Sequence, residues 1–263
     1  MASRRPGGTA PAGDFDYDRY GHGYVLRRQA DPRIAENVHA ALGAARKVLN
    51  VGAGAGSYEP ADRLVMAVEP SAVMRAQRPP QLLPAVNATA AELPFDDGAF
   101  DAAMAMMTVH QWPDAAAGLA ELRRVASGPV VVLTFDPDAL DRLWLAEYAP
   151  EMMAAERGRM PAISAICAGL GGRCEVRPVP VPIDCTDGFA EAYYARPERL
   201  LDPAVRRAQS AWGFVGPEAQ ERAVARLRAA LESGAWDERY GDLRRQPRFD
   251  GALCLVVGYP AAG

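Results

Sequence analysis

Three alternating glycines and one glutamate are the residues of this chain whose types and spacing most directly suggest chemistry. Gly52, Gly54 and Gly56 follow the apolar run 48–51, and Glu69 follows the next apolar run. Glycine at such a turn lets the backbone adopt positive φ angles and approach a ligand closely. A carboxylate after the second strand of this arrangement can hold the two hydroxyls of a ribose. The pattern therefore predicts a site for an adenosine-containing cofactor.

A nicotinamide cofactor is one alternative for this turn. Its pyrophosphate rests on the N-terminus of a helix that begins at G-x-G-x-x-G. Ser57 stands where the third glycine of that motif would be, and Pro60 interrupts the short segment before the second apolar run. A full helix for a pyrophosphate hardly fits there, so the sequence favours a cofactor without phosphate.

Three further motifs follow the glycine turn in order. They are 68–71 (VEPS), 91–95 (AELPF), and an apolar strand that starts after Asp101 and leads to His110 and Trp112. At this point the sequence resembles the class I S-adenosylmethionine-dependent methyltransferases. The group it is most similar to is the small-molecule branch that resembles ubiquinone and menaquinone methyltransferases.

The resemblance covers roughly residues 45–136 and implies a set of cofactor contacts. The glycine turn would approach the methionine moiety through its backbone, and Glu69 would chelate the ribose hydroxyls. Two positions depart from the family pattern, since Asn50 stands where an acid is usual and Thr89 where Asp or Asn often binds the adenine amino group. The implied cofactor-binding residues are Tyr20, Gly52, Ala53, Gly54, Gly56, Glu69, Pro70, Ser71, Thr89, Ala90, Ala91, Met106 and Met107.

His110 is the candidate catalytic residue. It lies just past a predicted strand, at the edge of the sheet where ligands of open α/β sheets bind. A histidine there can take a proton from an acceptor hydroxyl or amine, and a pKa near 6.5 would give an acid limb in the pH profile. The alternative is that His110 only shapes the pocket or binds backbone.

Several polar and aromatic residues are candidates for contact with a methyl acceptor. Tyr17 belongs to an aromatic segment, with Tyr20 and Tyr24, that is expected to fold over the cofactor as a lid; packing under a loop is the alternative. Helix capping is the competing interpretation for Asp136 and Asp184, and core packing for Trp144 and Tyr193. The candidates are Tyr17, His22, Trp112, Asp136, Trp144, Asp184 and Tyr193.

The alternation of apolar strands with amphipathic helices predicts a Rossmann-like, doubly wound α/β fold with a mostly parallel seven-stranded sheet. Residues 1–13 are expected to be a disordered tail, and 14–263 one methyltransferase domain. Helical patterns over about 187–245 predict an insertion between the last two strands that covers the site. The predicted strands are 48–51, 64–68, 83–86, 102–107, 130–135, 175–183 and 253–257, and the main predicted helices are 32–42, 71–77, 114–125, 139–153, 163–170 and 217–232.

Composition excludes several other classes of function. A net charge of −4 argues against a nucleic-acid partner. Four cysteines without a C-x-x-C pair and only three histidines show no zinc spacing, so no metal is expected and the thiols are expected to be reduced, as in a cytoplasmic protein. No apolar run is long enough for a membrane span, and 1–13 lacks the apolar core of a signal peptide. The sequence indicates no particular oligomeric state.

These observations predict methyl transfer from S-adenosylmethionine to a small organic acceptor at O, N or C, in specialised or quinone-like metabolism. Two alternatives stay open. One is a protein that binds S-adenosylmethionine without transferring methyl, such as a cyclising enzyme or a regulatory module. The other is an NAD-dependent oxidoreductase, which would also use Glu69.

Overall fold

The computed structural model describes residues 14–21 and 24–261, with Tyr20 and Tyr24 described by their backbone alone. The predicted tail 1–13 and the acceptor candidate His22 lie outside the described residues.

A six-stranded sheet with the strand order β2-β1-β3-β4-β8-β5 forms the centre of the fold. Neighbours among the first four strands pair in parallel, and β8 runs antiparallel between β4 and β5. The predicted Rossmann-like, mostly parallel sheet is thereby confirmed. The strands are β1 (Lys47–Val51), β2 (Leu64–Val68), β3 (Ala102–Met106), β4 (Val130–Phe135), β5 (Cys174–Pro178), β6 (Val181–Pro182), β7 (Arg248–Phe249) and β8 (Leu253–Gly258).

The prediction of seven strands is wrong by one. The predicted strand 83–86 contributes one bridge, in which the Val86 N–H donates to the Ala67 carbonyl at 2.8 Å and the Val86 carbonyl accepts from the Glu69 N–H at 3.0 Å. Pro84 has no N–H to donate, so the pairing does not extend along the segment. Prolines also divide the predicted strand 175–183 into β5 and β6, and β6 pairs with β7 outside the main sheet.

Helices cover both faces of the sheet. Asp31 caps α2 by accepting from the Arg33 N–H at 3.0 Å, and Pro32 occupies the first helical position. The predicted helix 139–153 is broken because Pro150 cannot continue it and begins a new helix. The α-helices are α1 (Tyr17–Tyr20), α2 (Pro32–Ala41), α3 (Ala72–Ala76), α4 (Ala115–Val125), α5 (Leu145–Tyr148), α6 (Pro150–Arg159), α7 (Ile163–Leu170), α8 (Pro203–Arg207), α9 (Pro217–Ser233) and α10 (Ala235–Tyr240).

Two apolar clusters hold these helices to the sheet. On one face α2 contributes Ile34 and Val38, and on the other α4 and α7 contribute Leu122 and Ile166; all four side chains are fully buried. Burying each such side chain contributes about 1.5–3 kcal/mol. All six residues of β4 are buried, as its β-branched run predicts for a strand covered on both faces.

The chain between β6 and β7 is mainly helical and holds α8, α9 and α10. It leaves and returns through the short antiparallel ribbon of β6 and β7, where Val181 pairs with Phe249. Trp236 of α10 is fully buried, and its ring lies 5.5 Å from that of Trp144. This segment therefore packs onto the helices that follow β4.

The cysteines differ from the expectation of four reduced thiols. Cys167 on α7 and Cys174 at the start of β5 form a disulfide with a Cα–Cα distance of 5.6 Å, while Cys185 and Cys254 are free and buried. Gly171 and Gly172, both with φ of 62°, turn the chain between the two paired residues. The reversal that brings them together depends on this turn, which cysteine spacing alone does not reveal.

Candidate active site

Two adjoining cavities lie at the carboxyl edge of the sheet. The larger cavity, of about 220 Å³, is formed by the residues that follow β1, β2 and β3 together with the N-terminal segment 15–18. The cofactor candidates that line it are Gly52, Ala53, Gly54, Glu69, Pro70, Ser71, Thr89, Ala90, Ala91, Met106 and Met107. Tyr17 and Trp112 line it too, whereas Gly56 does not and the side chain of Tyr20 lies outside the described residues.

The glycine turn is anchored to β2 and open toward the larger cavity. The N–H groups of Gly52 and Ala53 donate to the Val68 carbonyl at 2.9 and 3.0 Å. Gly52 and Gly54 have φ angles of 67° and 52°. A Cβ at Gly52 would overlap the Thr108 side chain, whereas a Cβ at Gly54 would meet only the Met74 methyl, at 3.3 Å. Gly54 thus leaves space in front of the backbone that a ligand can fill.

Gly56 is a glycine for a different reason. A Cβ there would overlap the Leu82 side chain and approach Arg78. Its place in the motif therefore reflects packing under the turn, which explains why it does not border the cavity.

Glu69 is held by the backbone on both of its oxygens. Its Oε2 accepts from the Gly54 N–H and its Oε1 from the Ser71 N–H, both at 2.8 Å. Burial raises the pKa of this carboxyl, while the two N–H groups and the charge of Arg75 act in the opposite direction. A carboxylate has about four lone-pair sites, so both oxygens can still accept from further donors such as two neighbouring hydroxyls.

The N-terminal segment 14–21 lies across the larger cavity. The Asp18 carboxylate accepts from the Ser71 hydroxyl at 2.7 Å and the Val73 N–H at 3.1 Å, and these bonds lower its pKa. The Gln77 amide donates to the Gly21 carbonyl at 3.0 Å. Sequence reasoning missed Asp18, because its partners lie more than 50 residues away and the segment offered only its aromatic pattern as a signal.

The smaller cavity, of about 40 Å³, lies beside the larger one, and Tyr17, Met107 and Gln111 border both. The Gln111 amide donates to the Tyr17 hydroxyl at 3.0 Å. Met107 has φ of 52°, a left-handed conformation that is uncommon outside glycine and concentrated at functional sites. Its N–H donates to the Leu133 carbonyl at 2.8 Å, which ties this strained residue to β4.

His110 borders the smaller cavity and not the larger one. Its Nε2 lies 3.3 Å from the Gln111 amide nitrogen, and its buried Nδ1 has no partner among the described residues. Burial and the charges of Arg159 and Arg28 lower its pKa to about 3. The pKa near 6.5 expected from sequence is therefore corrected, and the imidazole is neutral at physiological pH.

Arg28 connects the smaller cavity with the helical segment beyond β6. Its Nε donates to Asp187 at 2.5 Å, and its Nη2 lies 3.1 Å from the Met107 sulfur. The Tyr58 hydroxyl donates to the other oxygen of Asp187 at 2.7 Å. Sequence reasoning missed this group because its members lie far apart in the chain.

Four acceptor candidates, Asp136, Trp144, Asp184 and Tyr193, border neither cavity. Asp136 accepts from the Asp138 N–H at 3.0 Å and caps the turn after β4. The Trp144 indole donates to the Tyr194 carbonyl at 2.8 Å, and Asp184 forms an exposed ion pair with Arg33. Tyr193 is buried.

Comparison with known proteins adds family information to this geometry. A family model described as a methyltransferase domain matches residues 49–131, which include the glycine turn, Glu69 and β3. A solved structure from Anabaena variabilis, provisionally named a methyltransferase from an antibiotic biosynthesis pathway, is 28% identical. The match has a TM-score of 0.80 and covers 88% of this chain and 98% of that chain. Together these matches indicate a class I S-adenosylmethionine-dependent methyltransferase.

A curated relative of this chain is the malonyl-[acyl-carrier protein] O-methyltransferase of Halorhodospira halophila. It is 27% identical over 143 residues, which are 49% of this chain and 48% of the relative. The matched part thus spans about half the length of that relative. The similarity to methyltransferases implies S-adenosylmethionine as the cofactor and does not favour the nicotinamide alternative.

The described residues of the protein contain no helix long and apolar enough to cross a membrane. Within the same residues there is no group of three or more histidine, cysteine or acidic side chains placed to hold a metal ion.

Proposed function

We propose that the methyltransferase moves a methyl group from S-adenosylmethionine in the larger cavity to a small organic acceptor in the smaller cavity. The observation that carries this proposal is the shared border of the two cavities at Tyr17, Met107 and Gln111. A donor and an acceptor held on either side of such a border are brought together in a fixed orientation, which removes much of the entropic barrier to reaction.

The residues of the larger cavity fit the cofactor. The open space before Gly54 suits the methionine moiety, and the free lone pairs of the backbone-held Glu69 suit the ribose hydroxyls. Pro70, Ser71 and residues 89–91 would border the adenine, and Met106 and Met107 the sulfur. When bound, S-adenosylmethionine supplies a methyl group activated on a positively charged sulfur.

The residues of the chain would bind and orient the acceptor and exclude water. Gln111 and Tyr17 form a hydrogen-bonded pair across the border, and Met107 is fixed there by its backbone bond to β4. We propose that His110 orients the acceptor through its unpartnered Nδ1, since a pKa of about 3 makes it a poor proton acceptor.

We further propose a domain arrangement, an acceptor class and a compartment for the protein. Residues 14–263 form the methyltransferase domain, and the helical segment 187–245 covers the acceptor. In support, Ala190, Gln209, Ser210 and Ala211 from that segment border the smaller cavity. The acceptor is a small molecule of specialised or quinone-like metabolism and not a nucleic acid, and the protein acts in the cytoplasm.

Transfer of labelled methyl tests this function. The protein is incubated with methyl-labelled S-adenosylmethionine and the small-molecule fraction of cells that produce it. We expect label in a small-molecule product, with one S-adenosylhomocysteine formed per methyl transferred. His110→Ala should lower turnover at unchanged cofactor affinity, and His110→Asn, which keeps a hydrogen-bonding nitrogen, should retain more of it. Tight binding of S-adenosylhomocysteine without any label transfer would instead support the alternative of a binding protein.

A further inference from the structure

The smaller cavity contains a buried carboxylate without a matching cation. Glu191 is 2% exposed, and its two oxygens accept from the N–H groups of Ala252 at 2.6 Å and Leu253 at 3.2 Å. No arginine or lysine in the described part of the chain forms an ion pair with it, and Arg142, whose charge acts on it, donates instead to the Gly251 carbonyl at 3.2 Å. Burial raises the pKa of this carboxyl to about 7. Both oxygens retain lone pairs for another donor.

A second acidic side chain, Glu156, borders the same cavity and shares its cation with other groups. It lies 3.3 Å from Arg159 Nη1. Arg159 makes shorter bonds to both oxygens of Asp14, at 2.5 and 3.1 Å, and to the Ser210 hydroxyl at 3.0 Å. Burial raises the pKa of Glu156 as well. Its charge is thus only partly compensated.

The charges around the cavity do not balance. Arg28, which borders the cavity, already pairs with Asp187, and Arg159, which lies beside Glu156, already pairs with Asp14. Among the described residues that border the cavity, Glu156 and Glu191 face the single cation Arg28, so the ionised lining carries one more negative charge than positive ones, and Arg28 is already paired. Buried charges of this kind are costly unless a partner compensates them.

An unpartnered amide oxygen points to the same kind of ligand. Gln209 borders the cavity and is 5% exposed, and its Oε1 accepts no hydrogen bond from any described residue. An oxygen in this position requires a donor. Two aromatic rings, Phe135 and Phe189, also border the cavity with centroids 5.5 Å apart, and ring faces attract cations.

We propose that the methyl acceptor carries an ammonium group, which Glu156, Glu191 and Gln209 hold in the smaller cavity. This inference rests on the proposed function, since it names the class of acceptor for that site. An anionic acceptor fits less well because both arginines already pair with carboxylates. A neutral alcohol would leave the excess negative charge uncompensated.

Three small probes with the same carbon chain test this proposal. Protein saturated with S-adenosylhomocysteine is titrated at pH 8 with n-butylamine, n-butanol and sodium butanoate, which are cationic, neutral and anionic. Binding is followed through ¹³C-methyl NMR signals of Met107 and Met153, which both border the cavity. We expect butylamine to bind at least about tenfold more tightly than the other two. Equal affinities, or the tightest binding by butanoate, would overturn the proposal.

Variants locate the effect. Glu191→Gln and Glu156→Gln should each remove most of the preference for the amine, and Glu232→Gln, an exposed position on α9, should leave it unchanged. Because Glu191 also accepts hydrogen bonds from the backbone, circular dichroism checks that the Glu191→Gln variant is folded. If that variant is unfolded, the result for Glu156→Gln decides the test. If a folded protein that carries both Glu156→Gln and Glu191→Gln still prefers butylamine, these side chains do not hold the ammonium group. If S-adenosylhomocysteine itself fails to bind, the proposed function falls, and the same series on the free protein still decides whether the cavity selects a cation.

Discussion

The two cavities are built in different ways, although they share a border. The larger cavity is formed mainly by short runs that directly follow β1, β2 and β3, and its central carboxylate is held by N–H groups of Gly54 and Ser71. The smaller cavity combines side chains from residues 17 to 211, and its buried carboxylate is held by N–H groups about 60 residues away. One is a local, backbone-determined site, and the other exists only after the whole chain has folded.

Because the two cavities are built differently, we expect them to recognise their ligands through different features. Backbone and small residues in the larger cavity offer space and fixed hydrogen-bond directions, which suit one cofactor used by many related proteins. Side-chain charges in the smaller cavity depend on packing between distant segments and therefore suit a particular acceptor. Substitutions should accordingly affect cofactor binding through shape at the first site and acceptor binding through charge at the second.

The largest expected effect comes from filling the space before Gly54. Gly54→Val should weaken the binding of S-adenosylhomocysteine by more than about a hundredfold, because a branched side chain would occupy the open part of the cavity. Gly43→Val is the matched control, since Gly43 has a similar φ of 59° and no heavy atom within 4 Å of an added Cβ. Calorimetry measures both, with circular dichroism to check the fold. Equal affinities in the two variants would show that the turn has only a structural role.

The titrating groups of the smaller cavity predict opposite effects of pH on stability. The pKa of His110 is lowered to about 3 by burial and by Arg159 and Arg28. As pH falls from 6.5 to 3 the unfolded state alone binds a proton, so stability decreases, in total by about 5 kcal/mol. The pKa of Glu191 is raised to about 7 by burial and by Glu156, against the effect of Arg142 and two N–H groups, so stability decreases as pH rises from 4.5 to 7, by about 3 kcal/mol.

Urea unfolding between pH 4.5 and 7.5 separates these two contributions. Relative to His110→Gln, the wild-type protein should lose stability toward low pH. Relative to Glu191→Gln, it should lose stability toward high pH. Difference curves with the same slope would show that the two groups do not titrate as their burial implies.

A smaller effect is expected from Glu69, the carboxylate proposed to hold the ribose hydroxyls. Glu69→Ala should cost about 1.5–3 kcal/mol of cofactor affinity, because charge-assisted hydrogen bonds to two hydroxyls are lost. Glu69→Gln, which keeps the size and one acceptor oxygen, should cost less. Calorimetry with S-adenosylhomocysteine measures this, and an unchanged dissociation constant for Glu69→Ala would remove Glu69 from the site.

The same contrast explains how much could be predicted from sequence. The strands β1 to β4 and the residues after them follow from apolar runs, glycines and caps that are local in the chain, so most of the predicted cofactor residues border one cavity. Single strand bridges, disulfide pairing and contacts between distant segments do not follow from local sequence. The bridge at Val86, the disulfide of Cys167, and the positions of Asp18, Glu191 and Gln209 all depend on how distant segments meet, and no spacing in the sequence signals them.

The central claim is that the larger cavity binds S-adenosylmethionine, and calorimetric titration of the purified protein tests it most directly. S-adenosylmethionine and S-adenosylhomocysteine should each bind with a micromolar dissociation constant and near one-to-one stoichiometry, and NAD should give no measurable heat under the same conditions. Tighter binding of NAD than of both sulfur compounds would contradict the account.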